Sequence, residues 1–343
     1  MRQIWINKIG GPDVLELHEG PVPQPKPGEV RIRVAAAGVN FADILIRIGL
    51  YPNAPKLPAV IGYEVSGAVD SVGEGVQGVE TGTRIVALTP AYGGYSEYLC
   101  LAAECVLPIP DDLSFEKAAS LPVNYLTAWL MLVRLGNLQA GERVLIHSAA
   151  GGVGQAAVQI CRWRGAQVIG TASATKHERL REAGVEFCID YRTKDFEREV
   201  QRITDGQGAD VVLDAVGGSS FDKSYRCLAP LGRLFMFGVS SMVTGRKRNL
   251  FAMLMGLVAM PRFKPLQLLH DNRGVFGVSL GELGRKNHLL MGMLREIVEL
   301  VQQQQLDPLV DATFSFDDVA KAHERLQDRL NFGKVLLVPR RTT

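Results

Sequence analysis

A cluster of small residues in the middle of the chain has the pattern of a phosphate-binding turn. Residues 143–148 are typical of a buried strand. The turn after them begins at Ala149 and continues with Ala150, Gly151, Gly152, Val153 and Gly154. Gly151 would let the backbone approach a pyrophosphate, and Gly154 would let the following helix pack closely on the strand. The helix is predicted to begin near Gly152, with its N-terminal amides free to bind phosphate. Ala149 replaces the first glycine of the full dinucleotide-binding pattern, which leaves A-x-G-x-x-G.

The residues that follow the next two predicted strands favour NADPH over NADH. An NAD site usually places an acidic residue about 20 residues past the glycines, where it binds the ribose 2′-hydroxyl. Ala172 and Ser173 hold that position here, and they leave room for a 2′-phosphate. Lys176, Tyr191 and Arg192 could donate to phosphate oxygens. The alternative interpretation is that Lys176 and Arg192 are ordinary surface charges.

The order of the predicted elements divides the chain into three parts. Residues 1–123 alternate short strands with Gly- and Pro-rich turns, which is typical of a small, mostly β domain. Residues 124–305 alternate strands with helices, and residues 306–343 would return to the first domain and leave a cleft between the two. The six strands of the middle part are 143–148, 167–171, 186–190, 209–214, 233–239 and 274–279. We therefore expect an α/β protein with a doubly wound parallel sheet, the Rossmann arrangement, beside a mostly β domain.

The composition is that of an ordinary globular protein, and it argues against several functions. The 343 residues include 38 Lys and Arg and 36 Asp and Glu, and the formal net charge of +2 gives no reason to expect nucleic-acid binding. No apolar run approaches the roughly 20 residues of a spanning helix. No signal peptide is recognisable, so we expect a cytoplasmic chain without a transmembrane segment. The five cysteines form no C-x-x-C pair, which argues against a metal site, and His147 is expected to be a packed strand residue.

Short motifs along nearly the whole chain carry a family resemblance. They are Gly-Val-Asn-Phe-Ala-Asp at 38–43, Gly-Leu-Tyr-Pro at 49–52, Pro-Ala-Val-Ile-Gly-Tyr-Glu at 58–64, Leu-Pro-Val-Asn-Tyr-Leu-Thr-Ala at 121–128, the turn at 147–154, Phe-Gly-Val at 276–278 and Gly-Lys at 333–334. With these motifs the chain resembles the zinc-independent branch of the medium-chain dehydrogenase/reductase superfamily, the quinone oxidoreductases. Segment 249–281 resembles the VAT-1-like subfamily. The resemblance implies a GroES-like catalytic domain at 1–123, an NADP-binding Rossmann domain at 124–305, and a homodimer that pairs at the edge of the sixth strand.

The resemblance also implies the type of reaction. Zinc-dependent relatives place a Cys and a His as metal ligands where this chain has Asn40 and Tyr63. Without a metal to polarise an alcohol, the implied reaction is hydride transfer to a small electrophilic acceptor, a quinone or an α,β-unsaturated carbonyl. Tyr51 is the first candidate to donate a hydrogen bond or a proton to the acceptor oxygen, unless it is only a loop aromatic packed on a domain surface. Asn40 would face the nicotinamide ribose or the substrate carbonyl, and Tyr63 is a third candidate.

Further cofactor contacts follow from the same resemblance. Asn124 and Thr127 begin the helix at the domain junction and would contact the nicotinamide half, although the Thr127 hydroxyl could equally satisfy backbone amides of the helix. The remaining implied contacts are Gly238, Phe276, Gly277, Val278, Asn331 and Lys334.

Two hypotheses about function stay open at this point. The first is an NADPH-dependent reductase of quinones or activated alkenes, which the phosphate-binding turn and Tyr51 favour. The second is a VAT-1-like nucleotide-binding protein with weak or no catalysis that acts at membranes or in assemblies. The apolar, Met-rich segment 249–269 fits ordinary core packing, a substrate lid, a dimer contact or a membrane-surface helix.

Overall fold

The structure, a computed structural model, describes residues 1–243, 245–246 and 249–339. The strands are β1 (Arg2–Ile6), β2 (Leu15–Glu19), β3 (Glu29–Val39), β4 (Ala59–Val60), β5 (Glu64–Val72), β6 (Arg84–Leu88), β7 (Tyr98–Ala102), β8 (Val106–Pro108), β9 (Arg143–Ile146), β10 (Gln167–Ala172), β11 (Phe187–Asp190), β12 (Ala209–Asp214), β13 (Leu228–Met236), β14 (Gly274–Gly277), β15 (Val310–Ser315) and β16 (Lys334–Val338). The helices are α1 (Phe41–Arg47), α2 (Phe115–Ala119), α3 (Pro122–Trp129), α4 (Gly152–Arg164), α5 (His177–Glu182), α6 (Phe196–Ile203), α7 (Ser219–Arg226), α8 (Leu250–Val258), α9 (Pro265–Asp271), α10 (Asn287–Gln302) and α11 (Val319–Gln327).

The described residues form two compact units. The first unit comprises 1–126, 246 and 280–339, and the second comprises 127–243, 245 and 249–279. These limits differ from the boundaries at 123 and 305 that the sequence suggested. Helix α10 belongs to the first unit because it packs on β8, and Asn287 at its start donates from Nδ2 to the carbonyl oxygen of Glu104 at 3.0 Å.

The second unit is built on a six-stranded parallel sheet. Its strand order is β11-β10-β9-β12-β13-β14, with helices connecting the strands. The order reverses at β9, and open sheets of this kind bind ligands beyond the carboxyl ends of the strands at such a switch point. The central strands are apolar on both faces, as parallel sheets covered by helices require, and Val144, Leu145 and Val212 are fully buried. The predicted α/β class with a Rossmann sheet is confirmed, and β14 is an edge strand as expected.

The first unit contains the mostly β part of the chain. A three-stranded sheet has the order β2-β1-β4, and a seven-stranded sheet has the order β15-β16-β3-β5-β6-β8 with β7 paired to β3. Strand β16 lies antiparallel to β3, with Val335 opposite Val39. This register brings Lys334, at the start of β16, beside the residues that follow β3.

Helices α8 and α9 carry an exposed surface that we call the α8/α9 apolar surface. Its side chains are each more than half exposed: Leu250, Phe251, Leu254, Met255, Leu257, Val258, Leu266 and Leu269. The opposite side of α8 packs on the preceding segment, where a Cβ on Gly256 would lie 2.7 Å from Cγ of Met242. Core packing, one of the expectations for segment 249–269, is therefore wrong for these eight residues. None of the helices among the described residues combines the length and the hydropathy needed to cross a bilayer.

Candidate functional site

The phosphate-binding turn has the geometry that its glycines predicted. Helix α4 begins at Gly152 with Gly151 as its N-cap, directly after β9. A Cβ on Gly154 would overlap the carbonyl oxygen of Ser148 and would lie 2.6 Å from that of Ala149. Gly154 thus allows the helix to start against the turn itself. The amides at the start of α4 and the bare Cα of Gly151 form a cradle that fits a pyrophosphate.

Two buried polar side chains form hydrogen bonds at this turn. Gln155 donates from Nε2 to the Ala149 carbonyl oxygen at 2.9 Å. His147, which is buried as expected, places Nδ1 3.1 Å from Oγ1 of Thr171 and Nε2 3.0 Å from Oγ of Ser224. Burial lowers the pKa of His147, so the ring is neutral at neutral pH. Sequence reasoning assigned Gln155 no role, although a polar residue in the first turn of a buried helix is typical of such a contact.

The residues proposed for the 2′-phosphate lie after two neighbouring strands. Ser173 and Lys176 follow β10, and Tyr191 and Arg192 follow β11, which pairs with β10 in parallel. Asp190, the acid that ends β11, accepts hydrogen bonds from its own turn: from the Arg192 amide at 3.1 Å and from Thr193 Oγ1 at 3.0 Å. The Arg192 amide, as the leading cause, lowers the pKa of the Asp190 carboxyl. The Arg192 guanidinium is exposed, with its centre 6.0 Å from the Tyr191 ring centroid.

The remaining candidates of the second unit lie along the same carboxyl edge of the sheet. Gly238 follows β13, and a Cβ there would lie 2.8 Å from the Ala215 carbonyl oxygen, which follows β12. Phe276 and Gly277 end β14, and Val278 comes next, with its amide donating to the Met236 carbonyl oxygen at 2.9 Å. Ala150, Val153 and Thr127 also belong to this unit, and Thr127 is buried near the middle of α3 rather than at its start.

In the first unit, three buried polar side chains meet at the end of β3. Asn40 donates from Nδ2 to Glu64 Oε1 at 2.8 Å, and its Oδ1 accepts from Lys334 Nζ at 2.7 Å. The Lys334 ammonium also forms an ion pair with Glu64 Oε1. Glu64 is fully buried and Lys334 is 2% exposed. Lys334, which the family resemblance implied as a cofactor contact, has its charge matched by Glu64 within this unit.

Glu64 has a second contact that extends this cluster to α3. Its Oε2 accepts from the Val123 amide at 2.7 Å, in the first turn of the helix that carries Asn124. Gly38 makes room for the carboxylate, because a Cβ there would overlap Glu64. Sequence reasoning included Glu64 in the 58–64 motif but assigned it no role. An acidic residue at the start of an otherwise buried strand is the pattern that could have indicated one.

Tyr51 and Tyr63 lie together in the first unit. Their ring centroids are 6.1 Å apart in an edge-to-face arrangement, and Tyr92 packs on Tyr63 at 5.0 Å. A Cβ on Gly281 would lie 2.7 Å from the Tyr51 hydroxyl oxygen, so a larger residue there would displace the end of the Tyr51 side chain. Burial raises the pKa of Tyr63 well above its usual range, which keeps this phenol neutral and able to donate.

A further buried network lies beneath Asn40. Asp43 Oδ2 accepts from the Asn40 amide at 2.8 Å and from the Tyr95 hydroxyl at 3.0 Å, and that hydroxyl lies 3.4 Å from Nε2 of His323. Burial raises the pKa of Asp43 to about 7 and lowers that of His323. Sequence reasoning missed all three roles, since only the fold brings 43, 95 and 323 together. Asn331, another predicted site residue, is buried and donates from Nδ2 to the Gly333 carbonyl oxygen at 2.9 Å.

The positions of zinc ligands in zinc-dependent relatives are held here by side chains with other partners. Asn40 is bound by Glu64 and Lys334, and Tyr63 is packed among aromatic rings. In the part of the chain that the structure describes, no group of three or more His, Cys, Asp or Glu side chains is arranged to hold a metal ion.

Comparison with known proteins places this fold in a large superfamily. Residues 26–111 match the alcohol dehydrogenase GroES-like domain, and residues 183–337 match the family described as zinc-binding dehydrogenase. The human synaptic vesicle membrane protein VAT-1 homolog is 41% identical over 342 residues, which span 99% of this chain and 86% of the relative.

Solved structures are similar over almost the whole chain. The Escherichia coli quinone oxidoreductase complexed with NADPH has a TM-score of 0.87 and 31% identity, covering 99% of this chain and 100% of that one. The CurK enoyl reductase has a TM-score of 0.84 and 32% identity, covering 98% of each chain. The predicted resemblance is thereby confirmed, and the NADPH prediction agrees with the bacterial complex.

Proposed function

Because this chain belongs to the VAT-1-like group of the medium-chain dehydrogenase/reductase superfamily, we propose that it is an NADPH-dependent oxidoreductase. Its substrate would be a small electrophilic acceptor, a quinone or an activated alkene such as an α,β-unsaturated carbonyl compound. The neighbours described as a quinone oxidoreductase and an enoyl reductase support both classes. The observation that carries the proposal is the cradle at Gly151 and Gly154, where a Cβ would fill the space or displace the helix.

The cofactor preference follows from charge at the edge of the second unit. Ser173, Lys176 and Arg192 stand where a ribose phosphate needs donors, and the nearby Asp190 is occupied by its own turn. A phosphate dianion gains strong hydrogen bonds from cations. NADPH would therefore bind better than NADH, and when bound it supplies the hydride.

The residues of the first unit suit the electronic demand of this reaction. Hydride addition to the β-carbon of an unsaturated carbonyl breaks the C=C π bond and moves its electron pair toward the carbonyl oxygen. Donors aimed at that oxygen lower the barrier, because charge develops there in the transition state. Asn40 and Tyr51 offer neutral N–H and O–H donors for it. A proton then reaches the α-carbon from a donor such as Tyr51 or from solvent, which completes the reduction.

The direct test is a panel of acceptors assayed with NADPH and NADH side by side. We expect NADPH oxidation with a 1,4-quinone or a 2-alkenal and a clear preference over NADH. A Gly154→Ala variant serves as the cofactor-binding control. Tight NADPH binding without turnover on any acceptor would contradict the reductase proposal.

A second candidate function, action at a membrane, is favoured by the α8/α9 apolar surface. Between residues 240 and 273 the sequence holds six Lys or Arg residues and one acid, Asp271. An exposed apolar helix with basic flanks suits the surface of an anionic bilayer, where both features gain contacts. A second copy of the chain would bring like charges together at this surface. The printed name of the human relative, a synaptic vesicle membrane protein homolog, is consistent with this candidate.

Sedimentation with vesicles tests this second candidate. We expect binding to phosphatidylcholine vesicles that contain phosphatidylserine, and a loss of binding in Leu254→Asp. Leu17→Asp is a matched control, because Leu17 is an exposed leucine, 38% exposed, that lies on β2 in the first unit. Equal binding by both variants and the wild type would contradict it.

We also propose a cytoplasmic homodimer. All five cysteines are free, which favours a reducing compartment. The edge strand β14 leaves one side unpaired among the described strands, and edge strands need cover. Sedimentation velocity would measure the oligomeric state, and a monomer at micromolar concentration would contradict the dimer.

A further inference from the structure

We infer that Glu64 and Lys334 are positioning residues that fix the Asn40 side chain as a hydrogen-bond donor toward the oxygen of the acceptor. This inference rests on the proposed reductase function. It assigns to the buried ion pair a role that the sequence motifs did not indicate.

The orientation of the Asn40 amide follows from the chemistry of its two neighbours. An ammonium can only donate hydrogen bonds, and a carboxylate can only accept them. Asn40 Oδ1 therefore faces Lys334 Nζ at 2.7 Å, and Asn40 Nδ2 faces Glu64 Oε1 at 2.8 Å. A flipped amide would place NH₂ against the ammonium and oxygen against the carboxylate. The charges of the pair thus select one of the two amide orientations.

This orientation decides what Asn40 can offer to another molecule. One N–H of its NH₂ group is used by Glu64, so one N–H is left to donate. The Asn40 backbone amide is held separately, because it donates to Asp43 Oδ2 at 2.8 Å. Any further partner of this NH₂ group must be an acceptor atom, such as a carbonyl oxygen that gains negative charge.

The burial of the Glu64–Lys334 pair explains why the Asn40 amide keeps one orientation. Glu64 and Lys334 are almost without solvent contact, so water does not replace either partner. Glu64 also accepts from the Val123 amide at 2.7 Å, which anchors the carboxylate to the start of α3. Replacing a buried ion pair with apolar packing is often neutral or stabilising, so we assign this pair a conformational role rather than a role in stability.

The test removes both charges at once, so that neither is left buried alone. In Glu64→Gln/Lys334→Met the residue at 64 can donate or accept, and the residue at 334 cannot donate, so the Asn40 amide loses its fixed orientation. We expect kcat with a 2-alkenal to fall about 10- to 1,000-fold, on the scale of losing one oxyanion donor. The loss with an electron-poor 1,4-quinone should be smaller, because that acceptor needs less stabilisation of its oxygen. The Kd for NADPH should stay within about twofold.

A second readout does not depend on turnover. p-Nitrophenol reports its own ionisation by absorbance, and a fixed N–H donor favours the bound phenolate. We expect the pKa of the bound probe to be lower in the wild type than in the double variant and in Asn40→Ala. Asp70→Asn, which breaks the Arg31–Asp70 ion pair elsewhere in the same unit, controls for general destabilisation and should change neither readout.

The outcomes separate this inference from the reductase proposal. If the wild type reduces alkenals and the double variant keeps the same kcat on both acceptors, the inference is wrong and the reductase proposal stands. A tenfold rise in the Kd for NADPH with unchanged kcat would make Lys334 a cofactor contact and would also overturn the inference. If the wild type reduces no acceptor, the reductase proposal fails, and the probe pKa still decides whether Asn40 is a fixed donor. If the double variant does not fold, Lys334→Arg keeps a donor to Asn40 and should retain the alkenal rate, whereas an equal loss in Lys334→Arg would contradict the role.

Discussion

The substitution Gly154→Ala gives the sharpest structural prediction for cofactor binding. The added Cβ would lie 2.6 Å from the Ala149 carbonyl oxygen, whereas real Cβ atoms keep at least 3.0 Å. The start of α4 must then move away from the turn by more than about 0.4 Å, the difference between these two distances, because the Ser148 carbonyl oxygen lies closer still to the added Cβ. Overpacking of this kind costs about 1–3 kcal/mol. Where this cost falls on the NADPH-bound form, the Kd for NADPH rises about 5- to 150-fold, since 1.4 kcal/mol is a factor of ten.

Two other glycines supply matched controls for this change. At Gly151 a Cβ would lie 3.2 Å from the Ser148 carbonyl oxygen, so Gly151→Ala should fold almost normally and still weaken NADPH binding through contact with the pyrophosphate. Gly292, in α10, has open space at its Cβ position, and Gly292→Ala should stabilise the protein by up to about 1 kcal/mol without affecting the cofactor. Fluorescence titration with NADPH and thermal unfolding would measure both effects. Wild-type affinity and unchanged stability in Gly154→Ala would show that the turn accommodates a Cβ at this position.

Three further predictions concern catalysis, selectivity and pH. Tyr51→Phe should lower kcat roughly 10- to 1,000-fold and leave NADPH binding intact, as steady-state kinetics and titration would show, and unchanged turnover would exclude Tyr51 as a donor. Arg192→Met should raise the Kd for NADPH by roughly tenfold and leave that for NADH unchanged, because only the 2′-phosphate gains from the cation, and equal effects on both cofactors would argue for a nonspecific role. Burial raises the pKa of Asp43 from 3.8 to about 7, so its contribution to stability is full below about pH 4 and is lost as the pH rises toward 7. Asp43→Asn should flatten this fall in urea unfolding, and a parallel pH profile in both proteins would contradict the raised pKa.

The fold and the turn before α4 were largely predictable from the sequence because their signals are local. The glycines of the turn, the strand before it and the helix after it are contiguous, and α4 begins at Gly152 as expected. Alternating strands and helices predict a parallel sheet through general rules of connection. The expected domain boundary near 305 differs from the observed one because helix α10 follows the last Rossmann strand in sequence but packs on β8. No local sequence pattern encodes that contact.

The polar cluster around Asn40 could not be read from sequence spacing. Glu64 and Lys334 are 270 residues apart and meet only because β16 pairs with β3. The core-packing prediction for segment 249–269 was wrong because it relied on local composition alone. The apolar composition of this segment is typical of a core, and nothing local indicates that α8 lies with Leu254 and Val258 in solvent.

We propose that this chain transfers a hydride from NADPH to an electrophilic acceptor. The most direct measurement uses NADPH that carries deuterium at the transferable position of nicotinamide C4, with a 2-alkenal as acceptor and mass spectrometry of the product. We expect one deuterium at the β-carbon of the saturated aldehyde for each NADPH consumed, and loss of this label in Gly154→Ala at limiting cofactor. A chain that binds NADPH but yields no deuterated product with alkenals, and no NADPH oxidation with quinones, would contradict it.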